Sequence, residues 1–181
     1  DPKCGEKVAD FTQMLLQHID TLSDISDAFS SFVSMPPQKK EQTDLNAIIR
    51  RTIAVFDLPY IHFESKQEQI VIRADKNQMN RMLTNLLKNA IYATDNMPIP
   101  SIEVLSYANE NKVYIQVKDN GSGIPAELQE RIFEPKFTTK NTAGSGLGLT
   151  MVKHIINAHG GTISLSSEVG KGTTFTVELK K

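Results

Sequence analysis

One run constrains this chain more than any other. Asp119 to Thr150, DNGSGIPAELQERIFEPKFTTKNTAGSGLGLT, holds five of the ten glycines, at 121, 123, 144, 146 and 148. The segment ahead of it, Val113-Tyr-Ile-Gln-Val117, alternates as a half-buried strand does. The segment behind it, from about Leu147 to Ala158, sets Leu147, Leu149, Val152, Ile155 and Ile156 at helical spacing. Two glycine turns therefore bracket one long loop, and the second turn opens into a helix. A helix N-terminus presents unpaired N–H groups and a partial positive charge, and glycine lets the backbone come close to an anion. The expected ligand carries phosphates.

Spacing separates the kinds of glycine-rich loop. A Walker A loop needs G-x-x-x-x-G-K-[ST], which Gly170-Lys-Gly172-Thr does not satisfy. A protein-kinase loop needs G-x-G-x-x-G, but after Gly144 and Gly146 the required position is Leu149. Gly121, Gly123 and Ala126 match a dinucleotide fingerprint behind a strand. That pattern then expects an acid about 20 residues on, and none lies between Glu134 and Glu168.

Twenty basic against 21 acidic residues leave a net charge of −1. No basic excess points to nucleic acid or a membrane surface, so an anion must be met by local geometry. Cys4 is the only cysteine, which excludes an internal disulfide or a cysteine zinc site and fits a reducing, cytoplasmic setting. No apolar run approaches the roughly 20 residues of a membrane span, so no membrane contact is expected of this chain. The abrupt start, Asp-Pro-Lys-Cys-Gly, reads as a cut from a longer protein, for which a membrane-anchored sensor is one expected form. At 181 residues and 39% hydrophobic, the chain can bury one good core with a small appendage.

In chain order, Glu6 to Met35 lacks Pro and Gly and carries apolar residues at threes and fours (Phe11, Leu15, Ile19, Leu22, Ile25, Phe29, Phe32, Val33). This is an amphipathic helix that packs on another helix, stopped by Pro36-Pro37. Gln38 to Thr43 is a polar linker. Asp44 caps a helix from Leu45 to about Phe56 with Ile48, Ile49, Ile53 and Val55 as apolar positions. Tyr60–Phe63 and Ile70–Ile72 read as two strands around the turn Lys66-Gln67-Glu68. Asp75 caps a helix from Lys76 to Thr94, and strands follow at about 101–107, 112–118, 161–166 and 173–179. Helices mixed with mostly hairpin-connected strands predict an α+β fold. The expected form is a two-layer sandwich, a mixed, mainly antiparallel sheet with helices on one face, preceded by the long N-terminal helix.

Several residues could carry chemistry. Asn85 and Asn89, four apart on one face of a leucine-rich helix, are either surface amides at the edge of the stripe or oxygens aimed at a hydrated Mg²⁺ and its phosphates. Asp119 either makes a simple Asp-Asn-Gly turn or holds a carboxylate against an adenine amino group. Phe133 and Phe137 anchor a loop long enough to act as a lid, and Lys140 is a candidate charge partner for the terminal phosphate. His18, His62, His154 and His159 belong to no metal-binding cluster and read as structural or surface residues.

Together these motifs resemble the ATP-binding domain of sensor histidine kinases, in the wider family shared with gyrase, mismatch-repair and chaperone ATPases. The match runs in order from about Asp44 to Leu179. It comprises Asn85-Leu-Leu-Lys-Asn89-Ala-Ile-Tyr-Ala93, Asp119-Asn-Gly-Ser-Gly-Ile-Pro125, Ile132-Phe-Glu-Pro-Lys-Phe-Thr-Thr-Lys140, Gly144-Ser-Gly-Leu-Gly-Leu149 and Gly170-Lys-Gly-Thr-Thr-Phe175. The resemblance implies ATP and Mg²⁺ as ligands, with Asn89 on the metal and Asn85 assisting at the phosphates. It implies that Asp119 reads adenine, that Gly123 allows close approach and that Thr173 supports the base through water. Asn85, Asn89 and Lys140 would be catalytic. The remaining nucleotide contacts would come from Tyr92, Gly121, Ile124, Phe133, Phe137 and Thr139, and from the lid residues Gly144, Ser145, Gly146, Leu147, Gly148 and Leu149.

Residues 1–37, particularly Asp27 to Pro36, resemble the second helix of a kinase dimerisation hairpin of the nitrogen-regulation type, and 38–181 the catalytic domain. The implied partners are the phosphoacceptor histidine helix of the parent kinase, a response-regulator receiver domain and a second protomer. Two departures stand out. No His-Glu or His-Asp followed by a basic residue, Asn/Thr and Pro occurs, and His18 does not fit that motif, so this chain alone is not expected to autophosphorylate. Tyr92 stands where many such kinases have Lys. The expected function is transfer of the ATP γ-phosphate to a histidine outside the chain. The rivals are a same-fold ATPase or anti-sigma-type serine kinase, which would have Glu at Asn85, and a nucleotide-binding docking module without transfer activity.

Overall fold

The computed structural model describes residues 38–138 and 146–181, together with Thr12 and Ile19, which are both helical. The stripe assigned to the long N-terminal helix otherwise lies outside the described residues. So do Thr139, Lys140, Gly144 and Ser145.

Among the described residues from 38 onward, seven strands and three α-helices follow one another as β1 (Glu41–Asp44), α1 (Leu45–Phe56), β2 (Ile61–Ser65), β3 (Val71–Ala74), α2 (Lys76–Thr94), β4 (Ile102–Ala108), β5 (Lys112–Asp119), α3 (Gly148–Ala158), β6 (Thr162–Glu168) and β7 (Gly172–Lys180). Two short 3-10 turns, Ala126–Leu128 and Arg131–Phe133, lie between β5 and α3.

Both N-terminal caps foreseen from sequence are formed. The Asp44 carboxylate accepts from the Asn46 amide at 3.0 Å, and that of Asp75 from the Asn77 and Gln78 amides at 3.0 and 3.1 Å. Each satisfies N–H groups that the first helical turn would otherwise leave open.

The main sheet runs β2-β4-β5-β7-β6, with β2 and β4 parallel and every other pair antiparallel. Strand alternation sends Ile102, Val104, Val113, Ile115, Val117, Phe175, Val177 and Leu179 to one buried face. There they meet Met79, Met82, Leu83, Leu86 and Leu87 of α2 and Val152, Ile155 and Ile156 of α3. The opposite face, with Tyr114, Gln116, Thr174 and Thr176, is only partly covered. This is the expected two-layer α+β sandwich.

Two local expectations differ from the structure. The supposed linker contains β1, which pairs antiparallel with β3 in a separate two-stranded sheet. Strands β2 and β3 therefore do not form a hairpin with each other. The fully buried Asn46 explains the divergence: its Nδ2 donates to Ser65 Oγ (3.0 Å) and to the carbonyls of Gln67 (2.9 Å) and Glu68 (3.1 Å). Its Oδ1 accepts from the buried Ser106 hydroxyl at 2.7 Å. The intervening turn is thus held by α1 and β4, which frees β3 to leave the main sheet. Val55, counted among the apolar positions of α1, is 82% exposed, whereas its neighbours Ile53 and Phe56 pack on the core.

The C-terminal end of α3 is tied to the start of the domain. His159 Nε2 accepts from the Asp75 amide (3.2 Å) while its Nδ1 donates to the Ile155 carbonyl (2.8 Å). Lys40 Nζ reaches the Ala158 carbonyl at 3.0 Å, and the Lys39 amide donates to Asp75 at 3.0 Å.

Candidate functional site

The end of β5 and the start of β7 meet beside the C-terminal turn of α2, and the start of α3 lies against the middle of α2. Asp119 closes β5 and is 4% exposed. Its Oδ1 accepts two backbone bonds, from Gly121 at 2.9 Å and from Thr173 at 3.2 Å. No partner stands at Oδ2 among the described residues. Burial pushes this carboxyl up from its ordinary value, against the two N–H bonds. One oxygen is held by the fold and the other remains to accept from a ligand.

The register places Asp119 opposite Thr173, and Thr173 opposite Ser167 on β6. A carboxylate and two hydroxyls thus form one row across three strands on the helix-facing side of the sheet. Ser167 Oγ lies 2.8 Å from Thr173 Oγ1, accepts from the Ile124 amide at 2.8 Å and donates to the Gly172 carbonyl at 3.0 Å. Gln129 Nε2 bridges the carbonyls of Ile124 (2.9 Å) and Ser167 (3.0 Å). The turn from Asp119 to Pro125 is therefore bound to β6 as well as to its own strand.

That turn also sits on α2. A Cβ at Gly121 would lie 2.4 Å from the Ala93 carbonyl oxygen, which itself accepts from the Ser122 amide at 3.1 Å. Only glycine lets the two backbones meet, so the helix carrying the asparagines is fixed to the turn carrying Asp119. Gly123 has φ +70°, and a Cβ there would strike the Glu168 carbonyl at 2.1 Å. The close approach at Gly123 is thus to the β6–β7 turn of the chain itself.

Asn85 and Asn89 lie half-buried one turn apart on α2. The α3 N-terminus comes beside the first: Asn85 Oδ1 is 3.6 Å from where a Gly148 Cβ would be. Unlike α1 and α2, α3 has no side-chain cap from its N-cap residue, Leu147. An amide oxygen beside a helix start without a side-chain cap from its N-cap residue suits a phosphate with a bound cation. Among the described residues no group of three or more His, Cys, Asp or Glu could hold a metal unaided. The donor set fits a hydrated Mg²⁺ shared with nucleotide phosphates, and does not fit a closed protein cage.

The aromatic pair anchors the loop. Phe133 meets Phe175 edge to face with centroids 6.4 Å apart, Lys153 lies over it at 5.5 Å, and Thr150 donates to its carbonyl at 3.2 Å. Arg131 stacks over Phe137 at 4.8 Å. The Lys136 amide donates to the Gly146 carbonyl at 3.1 Å, joining the stretch after Phe133 to the residues ahead of α3. Leu149 and Ile124 pack partly buried on the core, whereas Tyr92 is 49% exposed. Of the candidate residues, Asp119, Gly121, Ile124 and Thr173 thus lie together at one end of the sheet, Asn85 lies beside Gly148, and Phe133, Phe137 and Leu149 pack partly buried against the core.

Sequence reasoning passed over Ser167, Gln129 and Ala93. For Ser167 the sequence gives only a side of the strand: Ile163 and Leu165 face the core and position 167 continues that side with a hydroxyl, but nothing local marks its partners.

A one-sided sandwich with strand order β2-β4-β5-β7-β6, in which the end of α2 meets the turn that follows a buried strand-end aspartate, defines a two-layer α/β-sandwich domain. The chain belongs to the histidine kinase-, DNA gyrase B- and HSP90-like ATPases, which it matches over residues 74–181, and within them to the histidine kinase catalytic domains. It is 35% identical to the catalytic domain of histidine kinase ThkA, with a TM-score of 0.70 over 79% of this chain and 96% of that one. A structure of ThkA with the response regulator protein TrrA aligns with a TM-score of 0.82 over 100% of this chain and 52% of that one, at 28% identity. Signal transduction histidine-protein kinase AtoS of Escherichia coli K12 is 32% identical over 94% of this chain and 29% of its own length. Nitrogen regulation protein NtrY of Azorhizobium caulinodans is 32% identical over 93% of this chain and 23% of its own. The chain therefore spans less than a third of either of these two full-length relatives. No helix among the described residues is long and apolar enough to cross a membrane.

Proposed function

We propose that the chain binds Mg²⁺-ATP and presents its γ-phosphate to a histidine on a separate helix of the parent kinase, as one step of two-component signalling. The observation that carries this is Asp119, with one carboxylate oxygen held by two backbone amides and the other without a partner among the described residues. That oxygen suits the amino group of adenine. Asn85 and the α3 start would face the phosphates, and Asn89 would supply an amide oxygen to Mg²⁺. Mg²⁺, when bound, offsets phosphate charge. Lys140 and the lid from Thr139 to Leu149, including Gly144, Ser145 and Gly146, would close over the phosphates. Tyr92 would flank them at the edge.

The chain's part in transfer is positioning and electrostatics. The acceptor imidazole nitrogen bonds to the γ-phosphorus as the bond to the ADP oxygen breaks, and the imidazole loses its proton. Asn85 is an amide and no base at neutral pH, which favours transfer over hydrolysis by an activated water. Residues 1–37 would serve as the second helix of a dimerisation hairpin and 38–181 as the catalytic domain. The parent would be a homodimer that passes its phosphoryl group to a receiver domain, a role supported by the likeness to ThkA bound to its response regulator.

The test is trans-phosphorylation: the chain with Mg²⁺-ATP and a separate acceptor-helix fragment of its parent yields acid-labile phosphohistidine, and Asn89→Ala lowers the rate at least about tenfold. ATP binding without any phosphohistidine would favour a docking module.

A further inference from the structure

The row Ser167–Thr173–Asp119 allows the proton positions to be counted. The Gly172 carbonyl can only accept, so the Ser167 hydroxyl donates to it. The Ile124 amide can only donate, so it occupies one Ser167 lone pair. A hydroxyl has one proton and two lone pairs, and a single lone pair is left for the third contact, at 2.8 Å. Thr173 must therefore be the donor in that contact. Its proton is spent on Ser167, and what it offers on its other side is lone pairs alone.

We infer that Ser167 is a positioning residue for base selection: it holds the Thr173 hydroxyl as an acceptor, so the base-reading edge formed with Asp119 presents acceptors only. This rests on the assignment of Asp119 to the adenine amino group and extends it. Acceptors side by side welcome an exocyclic NH₂, directly or through a water. They repel a 6-oxo group, whose lone pairs would face lone pairs. Were the Thr173 proton free to turn, that hydroxyl could donate to the oxo group and the discrimination would weaken. The arrangement is held from several directions, since Gln129 bonds the carbonyls of both Ile124 and Ser167. The 4% exposure of Thr173 limits the water that could replace Ser167 as its partner.

The experiment compares ATP with ITP, whose base carries oxo in place of amino at C6 and N–H in place of the bare N1, by calorimetric binding to the wild-type chain, Ser167→Ala, Ser167→Thr and Thr173→Val. Thermal melts establish that each variant is folded. The wild type prefers ATP. In Ser167→Ala the ATP-to-ITP preference narrows by about tenfold, the size of one hydrogen-bonding mismatch. Ser167→Thr keeps the hydroxyl and restores most of the preference. Thr173→Val narrows it as Ser167→Ala does, and adding Ser167→Ala to Thr173→Val changes it no further.

A merely structural serine would weaken ATP and ITP by the same factor, and that result overturns the proposal. Should Ser167→Ala not fold, an unchanged preference in Thr173→Val overturns it equally. Asp119→Ala separates the two levels. If it abolishes ATP binding while the serine variants keep the preference, only the role of Ser167 fails. If it binds ATP as the wild type does, the adenine assignment fails with it.

Discussion

Asp119 joins function to a cost in stability. Burial raises its carboxyl above the ordinary value, so the folded state holds the proton more tightly than the unfolded chain does. The stability tied to this group is greatest at acid pH and falls as pH rises from the ordinary value through the raised one, with the full cost present above it. Asp119→Asn keeps an oxygen for the Gly121 and Thr173 amides but removes the charge and turns an NH₂ toward the base. It should melt about 2 °C higher than the wild type at neutral pH. It should also bind ATP about tenfold to a hundredfold more weakly. Thermal scans and titration calorimetry on the same sample check both. A variant that lost ATP binding and also melted lower would show that the carboxylate serves the fold.

Asp119, Gly121 and the asparagines were legible in the sequence because their types and short spacings carry the signal. Ser167 was not, because its meaning comes from a partner on another strand. A serine that bonds Ile124, Thr173 and Gly172 looks in sequence like any polar strand residue.

Among the elements, those with a local stop or start were the readable ones. Helices α1 and α2 run over the residues their aspartate caps and apolar spacing marked, Leu45–Phe56 and Lys76–Thr94. Strands β4, β5, β6 and β7 fall within a residue or two of where alternation put them. Strand pairing was another matter. β1 passed for a linker, and β2 and β3 passed for a hairpin, because the bonds that decide otherwise come from Asn46 and Ser106, distant in sequence.

The junction of α2, α3 and the segment before β1 carries a pH dependence of its own. Burial lowers the pKa of His159 from its ordinary 6.5, and the ring accepts the Asp75 amide in its neutral form. Protonation would set an N–H against an N–H. Because the unfolded chain binds this proton more readily, the His159 contribution is intact above pH 6.5. It is lost as pH falls from there through the lowered value. Asp75 is separable. Burial raises its pKa, but bonds from the Gln78, Lys39 and Asn77 amides outweigh this and leave it lowered, so its contribution fades only near 3.8 and below. Melting temperatures between about pH 7.5 and pH 5 should fall less in His159→Gln than in the wild type, by on the order of 2 °C. Parallel curves for the two proteins would refute this coupling.

At the scale of the whole molecule, twenty basic and 21 acidic residues cancel almost completely, so no overall field draws in an anion. The ion pairs Lys76–Glu41, Lys118–Glu103 and Lys171–Glu168 are exposed and contribute little to stability. What holds the domain is the apolar layer between the sheet and α2 with α3. What would hold a nucleotide is a helix start without a side-chain cap from its N-cap residue, two amides and one half-satisfied carboxylate. Fold and site are therefore one construction: α2 supplies both the core leucines and the asparagines, and Gly121 presses its backbone onto the turn of Asp119. Calorimetric titration of the chain with ATP, with and without Mg²⁺, tests this most directly when run beside Asp119→Ala and Asn89→Ala. The expected result is Mg²⁺-dependent binding by the wild type, loss of binding in Asp119→Ala, and in Asn89→Ala an affinity that Mg²⁺ no longer changes. A folded wild-type chain that bound no ATP, or an Asp119→Ala variant that bound it as tightly as the wild type, would contradict it.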